Sequence, residues 1–266
     1  MYYSARGADG FTRVRAATST DGRSFTPVGS ELFDPDVYGE WLAVEQEAHS
    51  IEIDADGSIR LFLSGNDGSR WRIGAVTAPA LDATAPQSPV FTLDPARFEA
   101  EIQLGTGVPG GVDDSGVKDP AVITTDAGRF LYYSAFDGNL WHIARAEWDG
   151  TQWIRRTDLL DDVTLPAMSG RARTFSVGGA FSPVVRATPG GTADVFYAGT
   201  DDASEELGIP QVGYALGRGP HVFPHLKMPV AGDTLAYETE RGDETISVIE
   251  LAQNVDAFLT TGVGTT

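Results

Sequence analysis

Apolar positions in this chain fall in short runs separated by Gly- and Asp-rich turns, and the pattern repeats. One unit is a β-rich run ending in Ser or another small residue, a turn, then a second run with a small residue at its centre. It occurs as "MYYSARGADGFTRVRAATS", "RLFLSGNDGSRWRIGAVTA", "FLYYSAFDGNLWHIARAEW" and "VFYAGTDDASEELGIPQVGYALG", with a fainter fifth copy in "LAYETERGDETISVIELA". Tyr3, Leu63, Tyr133, Tyr197 and Tyr237 share one place in the unit, and Val14, Ile73, Ile143, Val212 and Val248 share another. Two β-rich runs joined by such a turn predict a hairpin.

A further apolar run precedes three copies, in "AHSIEIDADGSIR", "DPAVITTDAGRF" and "SPVVRATPGGTADV", and predicts an innermost strand. Fourth strands are predicted in "SFTPVG", "SPVFTL" and "TQWIRRTD". Four-stranded antiparallel units repeated around an axis make a β-propeller, which protects sheet edges by radial repetition. The expectation is all-β: a single five-bladed β-propeller domain over residues 1–266. A β-sandwich of many short strands is the competing arrangement, but it requires no such internal echo.

The first blade is expected to be incomplete at the N-terminus. Its second strand (1–6), third strand (12–18) and fourth strand (24–28) can be placed, but no innermost strand precedes them. An upstream extension would supply it. Alternatively, "VDAFLTT" near the C-terminus closes the ring.

Charge narrows the partners. Nineteen Lys and Arg against 38 Asp and Glu give a formal net charge of −19, a field that repels phosphate backbones and anionic lipids. Neither nucleic acid nor a membrane is expected as a partner. The absence of cysteine excludes disulfides, thiolate metal ligands and a thiol nucleophile. No apolar run approaches the roughly 18 residues of a membrane span, and no basic-then-apolar signal segment opens the sequence as given. Secreted and cytoplasmic locations both stay open.

Two stretches carry a family resemblance. "STDGRSF" (19–25) is similar to the third-strand ending of the five-bladed propeller glycosidases of glycoside hydrolase families 43, 62, 32 and 68. "DDSGVKDPAVI" (113–123) resembles their innermost strand opening on Asp-Pro. The resemblance implies a carbohydrate partner and acid/base hydrolysis of furanosides or pentosides, of arabinose, xylose or fructose units, at an axial funnel. That chemistry needs two carboxyl groups, one to protonate the leaving oxygen and one to activate water or attack the anomeric carbon.

"DDSGVKDPAV" aligns without gaps on "SVGGAFSPVV", matching Gly116 to Gly179, Asp119 to Ser182 and Pro120 to Pro183. The equivalent stretch "EQEAHSIEI" places Ala48 at the Asp119 position, with Glu47 and His49 beside it, and "HVFPHLKM" is assigned to the innermost strand of blade five. By the resemblance Asp119 matches the family's second, substrate-orienting Asp, and Glu47 is the nearest carboxylate from another inner strand; Glu45 is a rival, and the roles of Asp119 and Glu47 can be exchanged. The plain reading of Asp119 is an Asx-type cap before Pro120.

Asp114, His49, Trp41, Ser182 and His225 are the expected substrate contacts, and Asp113 is placed with Asp114 in a polar loop at the funnel rim. Trp71 and Trp141 occupy matching blade positions, which predicts packing between blades, and His142 is expected on a blade face. The histidines show no tight ligand spacing. No metal site and no cofactor are expected, although family 43 relatives can hold a calcium ion in the channel where His225 is placed.

The chain departs from the family where its first-blade Asp and its later Glu would stand: the first strand is missing, and the later one reads Phe181-Ser182-Pro183. A non-catalytic carbohydrate-binding or interaction propeller is therefore the alternative to a glycosidase.

Overall fold

The computed structural model describes residues 1–29, 31–80, 92–93, 111–156, 179–188, 192–200, 211–216, 228–229, 246–251 and 257–261. These residues are nearly all β, and the sheets follow the repeat. β1 (Tyr2–Arg6), β2 (Thr12–Thr18) and β3 (Thr26–Val28) form the first sheet. After a short helix α1 (Pro35–Tyr38) and a 3₁₀ turn (Glu40–Leu42) comes a second sheet of β4 (Glu45–Ile53), β5 (Ile59–Asn66), β6 (Trp71–Ala78) and β7 (Thr92–Leu93). The third unit is β8 (Gly116–Thr125), β9 (Gly128–Phe136), β10 (Trp141–Trp148) and β11 (Trp153–Arg155). The fourth is β12 (Gly179–Thr188), β13 (Thr192–Thr200), β14 (Gln211–Leu216) and β15 (Met228–Pro229). A single parallel bridge, Trp141 to Gly179, joins the third and fourth units. β16 (Ile246–Leu251), inside the fifth copy of the repeat, pairs with β17 (Ala257–Thr261).

Of "HVFPHLKM", expected as the innermost strand of blade five, only Met228 lies among the described residues; it is on β15, which pairs with β14. The alternative closure of the ring by "VDAFLTT" is corrected. β17, inside "VDAFLTT", pairs with β16, and β1 stands at the edge of its sheet among the described residues. Tyr237 lies outside the described residues.

The hairpins form for a local reason. At the tip between β5 and β6, Asp67 Oδ1 accepts from the Ser69 and Arg70 N–H groups, and Gly68 takes the positive φ of 90° that the turn demands. Asp137 repeats this with Asn139 and Leu140 between β9 and β10. The aspartate then meets the basic residue that opens the third strand: Asp67 pairs with Arg72, and Asp137 with His142 at 2.8 Å. His142 thus serves the blade face, as expected. The loop after β2 is capped likewise. Asp21 accepts from the Ser24 and Arg23 N–H groups and from Ser19 Oγ, which together hold its carboxyl at about 2.

Middle strands are apolar on both faces because each lies between two neighbours. Leu61 and Leu63 pack with Val14, Trp41 and Leu42 toward the first sheet, while Phe62 between them packs with Val117, Leu131 and Tyr133 toward the third. Tyr132 turns the other way, onto Val195 and Tyr197 of the fourth. Strict alternation of side chains along a strand explains why these segments read as unbroken apolar runs. Trp71 and Trp141 pack at the seams, against Gly116 and Gly179 of the following inner strands, in the structural role expected of them.

In the first three units a serine two residues before the end of the second strand ties one sheet to the next; Ala198 holds that place in the fourth. Ser4 Oγ accepts the Ala48 N–H at 3.0 Å, Ser64 Oγ the Asp119 N–H at 2.8 Å, and Ser134 Oγ the Ser182 N–H at 2.8 Å. The three acceptors hold one place in the repeat and the three donors another.

Replacing Ser64 with Ala leaves a buried N–H without its partner and is expected to cost about 1–3 kcal/mol. Ser4→Ala, whose bond is exposed, is expected to cost no more than about 1 kcal/mol. Urea denaturation at unchanged slope measures both, and equal losses would contradict the assignment. The Asp21 carboxyl carbon is expected to titrate near 2 by NMR, against a reference of 3.8. Since the folded value is depressed, its contribution to stability is present above 3.8 and lost as pH falls through about 2.

Candidate functional site

The inner strands β4, β8 and β12 each break register at the same level. The shift falls between Ala48 and Ser50 in β4, between Lys118 and Ala121 in β8, and between Phe181 and Val184 in β12. One extra residue enters the inner strand at each break, the defining feature of a β-bulge, and re-aims its side chain. In β8 and β12 the first bulge residue is left-handed, Asp119 with φ 55° and Ser182 with φ 50°, and a proline follows each. Short polar side chains tolerate this region best, and a bulge is among the few places a sheet accepts proline. These are the only non-glycine residues with positive φ among the described residues, and they sit side by side. Strained backbone of this kind clusters at functional sites.

Asp119 is 4% exposed. Its Oδ2 accepts from Ser134 Oγ at 2.6 Å, Ser182 Oγ at 3.1 Å and the Ser182 N–H at 3.2 Å. Its Oδ1 lies 3.5 Å from His49 Nε2. Burial pushes the Asp119 carboxyl up, but the charges of His49 and Lys118 and the hydroxyls of Ser134 and Ser182 outweigh it and hold the group below the usual carboxylate range. Lys118, next in sequence, has its ammonium over the Trp141 ring at 4.5 Å, with Trp71 and Phe181 at 5.7 and 5.9 Å.

Glu47 and His49 arrive from β4 beside the bulge, with Glu47 Oε2 3.4 Å from His49 Nε2. One donor atom each from Glu47, His49 and Asp119 lies within 4.8 Å of the others. These are the residues able to hold a metal ion among those described. A cavity of about 190 Å³ opens between the three inner strands. Its polar end is His49, Asp119 and Ser182, and Pro120, Pro183 and Val184 line its apolar side.

The structure therefore brings together Asp119, Glu47, His49 and Ser182. Trp41 is not with them: it is 5% exposed, donates from Nε1 to the Tyr38 carbonyl and covers Gly65, where a Cβ would fall 2.3 Å from its ring. Its aromatic surface is spent on the core between the first two sheets. Asp114 lies in the turn before β8, accepts from Ser115 Oγ and does not line the cavity. Asp113 is not a rim residue: at 1% exposure it accepts from Tyr133 Oη at 3.0 Å and pairs with Arg155 at 2.9 Å, and burial raises its carboxyl. His225 lies outside the described residues. Reading residue by residue missed Ser64 and Ser134, which seat the Asp119 bulge from below; the recurring Ser of the repeat was their signal.

No family model matches the chain, and no curated protein matches it. Solved structures do match in fold. A glycosyl hydrolase from Bacteroides ovatus is 17% identical, with a TM-score of 0.55, over 86% of this chain and 67% of that one. An exo-1,5-α-L-arabinanase from a bovine ruminal metagenomic library is 13% identical, with a TM-score of 0.51, over 86% and 70%. A β-1,2-mannobiose phosphorylase from Listeria innocua, in complex with β-1,2-mannobiose, is 16% identical, with a TM-score of 0.56, over 86% and 57%. The fold is thus the β-propeller fold of these glycoside hydrolase and phosphorylase structures.

Asp119→Asn and Ser182→Ala, measured singly and together, are expected to show a coupling energy of about 1 kcal/mol or more, as for groups sharing one hydrogen-bond network. Additive losses would separate the two side chains.

Proposed function

We propose that this chain is a single five-bladed propeller domain acting on carbohydrate at its axial cavity, and that it hydrolyses furanosides or pentosides. The observation that carries this reading is Asp119: a buried, ionised carboxylate presented by a left-handed bulge at the floor of a cavity between three inner strands. Fold alone supplies no chemistry, so the argument rests on the site.

In this reading Asp119 orients a sugar hydroxyl through Oδ1, since Oδ2 is already taken by Ser134 and Ser182. Glu47, half-buried and 3.4 Å from the cavity-lining His49, delivers the proton to the leaving oxygen. His49 sits between them and Ser182 offers a further contact. The apolar side of the cavity, Pro120, Pro183 and Val184, suits the C–H face of a sugar ring. One oxygen of Glu47 and one of Asp119 lie within 4.8 Å of each other, so the two carboxylates act as neighbours in one site. In this reading Asp119 assists Glu47, and the group that activates water or attacks the sugar comes from another part of the ring.

A non-catalytic sugar-binding propeller is the second reading. The focal places of β4 and β12 hold Ala48 and Ser182, so only β8 presents an acid there among the described residues.

The test is a screen on aryl arabinofuranoside, xyloside and fructosides, with Asp119→Asn and Glu47→Gln on the substrate that is turned over. Losing a general acid is expected to lower kcat by about 10²–10⁴-fold. Full turnover by Asp119→Asn would remove that residue from the site, whereas sugar binding without turnover in the parent chain would favour the second reading.

A further inference from the structure

The His49 ring stands oddly with respect to its two carboxylates. Its Nε2 lies 3.4 Å from Glu47 Oε2 and 3.5 Å from Asp119 Oδ1. Charge-assisted N–H···O bonds run at about 2.7–2.9 Å. Elsewhere in this protein a histidine does reach that distance, His142 to Asp137 at 2.8 Å. His49 hydrogen-bonds neither of its carboxylates at such a length, and both acids face the same nitrogen.

The spacing matches a different arrangement. Tetrahedral coordination with metal–ligand bonds of about 2.0–2.2 Å sets neighbouring donor atoms about 3.3–3.6 Å apart. Both His49 distances fall in that range, and the third pair lies within 4.8 Å. The outer contacts also fit: Ser134 and Ser182 hold Oδ2 of Asp119, which fixes the carboxylate and turns Oδ1 toward His49, as partners behind a metal ligand do. Asp119 is carried on an αL bulge whose N–H is tied to Ser64, so the ligand is set in place by the backbone before any ion arrives. The Lys118 ammonium, the nearest competing cation in sequence, is engaged by the Trp71, Trp141 and Phe181 rings.

We propose that Glu47, His49 and Asp119 bind one divalent first-row metal ion of the zinc type. Three protein ligands leave one position open, as in open zinc sites, and two of the three, His49 and Asp119, line the cavity, from which water or a sugar hydroxyl completes the shell. One imidazole and two carboxylates suit such an ion; calcium takes six to eight oxygen ligands, more than these side chains supply. The site shares Glu47, His49 and Asp119 with the hydrolytic reading but excludes that chemistry while loaded, because a metal on Glu47 withdraws the proton donor. The loaded protein is then a metal-dependent sugar binder, and the metal-free protein the candidate hydrolase.

The test uses the full chain, stripped with a chelator, returned to chelator-free buffer and titrated with ZnCl₂ by calorimetry. One equivalent is expected to bind. His49→Ala is expected to weaken it by about 100-fold or more, at least what loss of an outer partner costs. His142→Ala is the control and is expected to leave affinity unchanged. Loading with Co²⁺ is expected to give the intense visible absorption of a four-coordinate site, lost in His49→Ala. Asp119 also serves the fold, so Glu47→Gln is the second ligand variant: about 10-fold or greater weakening with an unchanged circular dichroism spectrum. Equal zinc affinity in the parent, His49→Ala and Glu47→Gln, or loss of the site on His142→Ala, overturns the proposal. Turnover of aryl glycosides by the chelated protein tests the hydrolytic reading alone, so either idea can fail without the other.

Discussion

Everything at the axis depends on a hydroxyl lent by the neighbouring sheet. A bulge frees one backbone N–H of the inner strand from its own ladder, and a buried N–H without a partner is costly. Ser4, Ser64 and Ser134 each accept the N–H so released in the following sheet. The bond does two things at once: it makes the irregular backbone tolerable, and it sets the seam between sheets at one height. Asp119 and Ser182 owe their aim to it.

The same economy appears in Ser134, which accepts from the Ser182 N–H and donates to Asp119. A third-unit hydroxyl thus couples the inner strands of the third and fourth units. Around it, apolar packing on both faces of β5 and β9 keeps the strands from sliding, since a one-residue slip would turn Tyr133 and Tyr132 onto the wrong neighbours.

Much of this was legible from the chain. Repetition exposed the hairpins, the blade-face place of His142 and the tryptophans at the seams, because each follows from turn chemistry or strand alternation. Alignment of Asp119 with Ser182 and Ala48 located the bulges without revealing that they were bulges. What stayed hidden depends on distant contacts. Trp41 reads as a loop aromatic until Gly65 is seen beneath its ring. Asp113 and Asp114 are adjacent and identical in type, yet Tyr133 and Arg155 draw one into the core while the other stays half-buried. The place of Met228 on β15 was equally hidden, because a strand's place in a sheet is decided by its partner, β14, and not by its own composition.

The left-handed backbone of Asp119 and Ser182 restricts which sequences can ever occupy these places. For most L-residues that conformation costs about 1–2 kcal/mol, a burden Gly, Asn and Asp bear most easily. Branched and bulky apolar residues are shut out of both places, so drift at the axis runs through a short alphabet of small and polar types. New specificities in proteins built this way must arise chiefly from the walls, where Val184 and its neighbours on regular strand are free to vary.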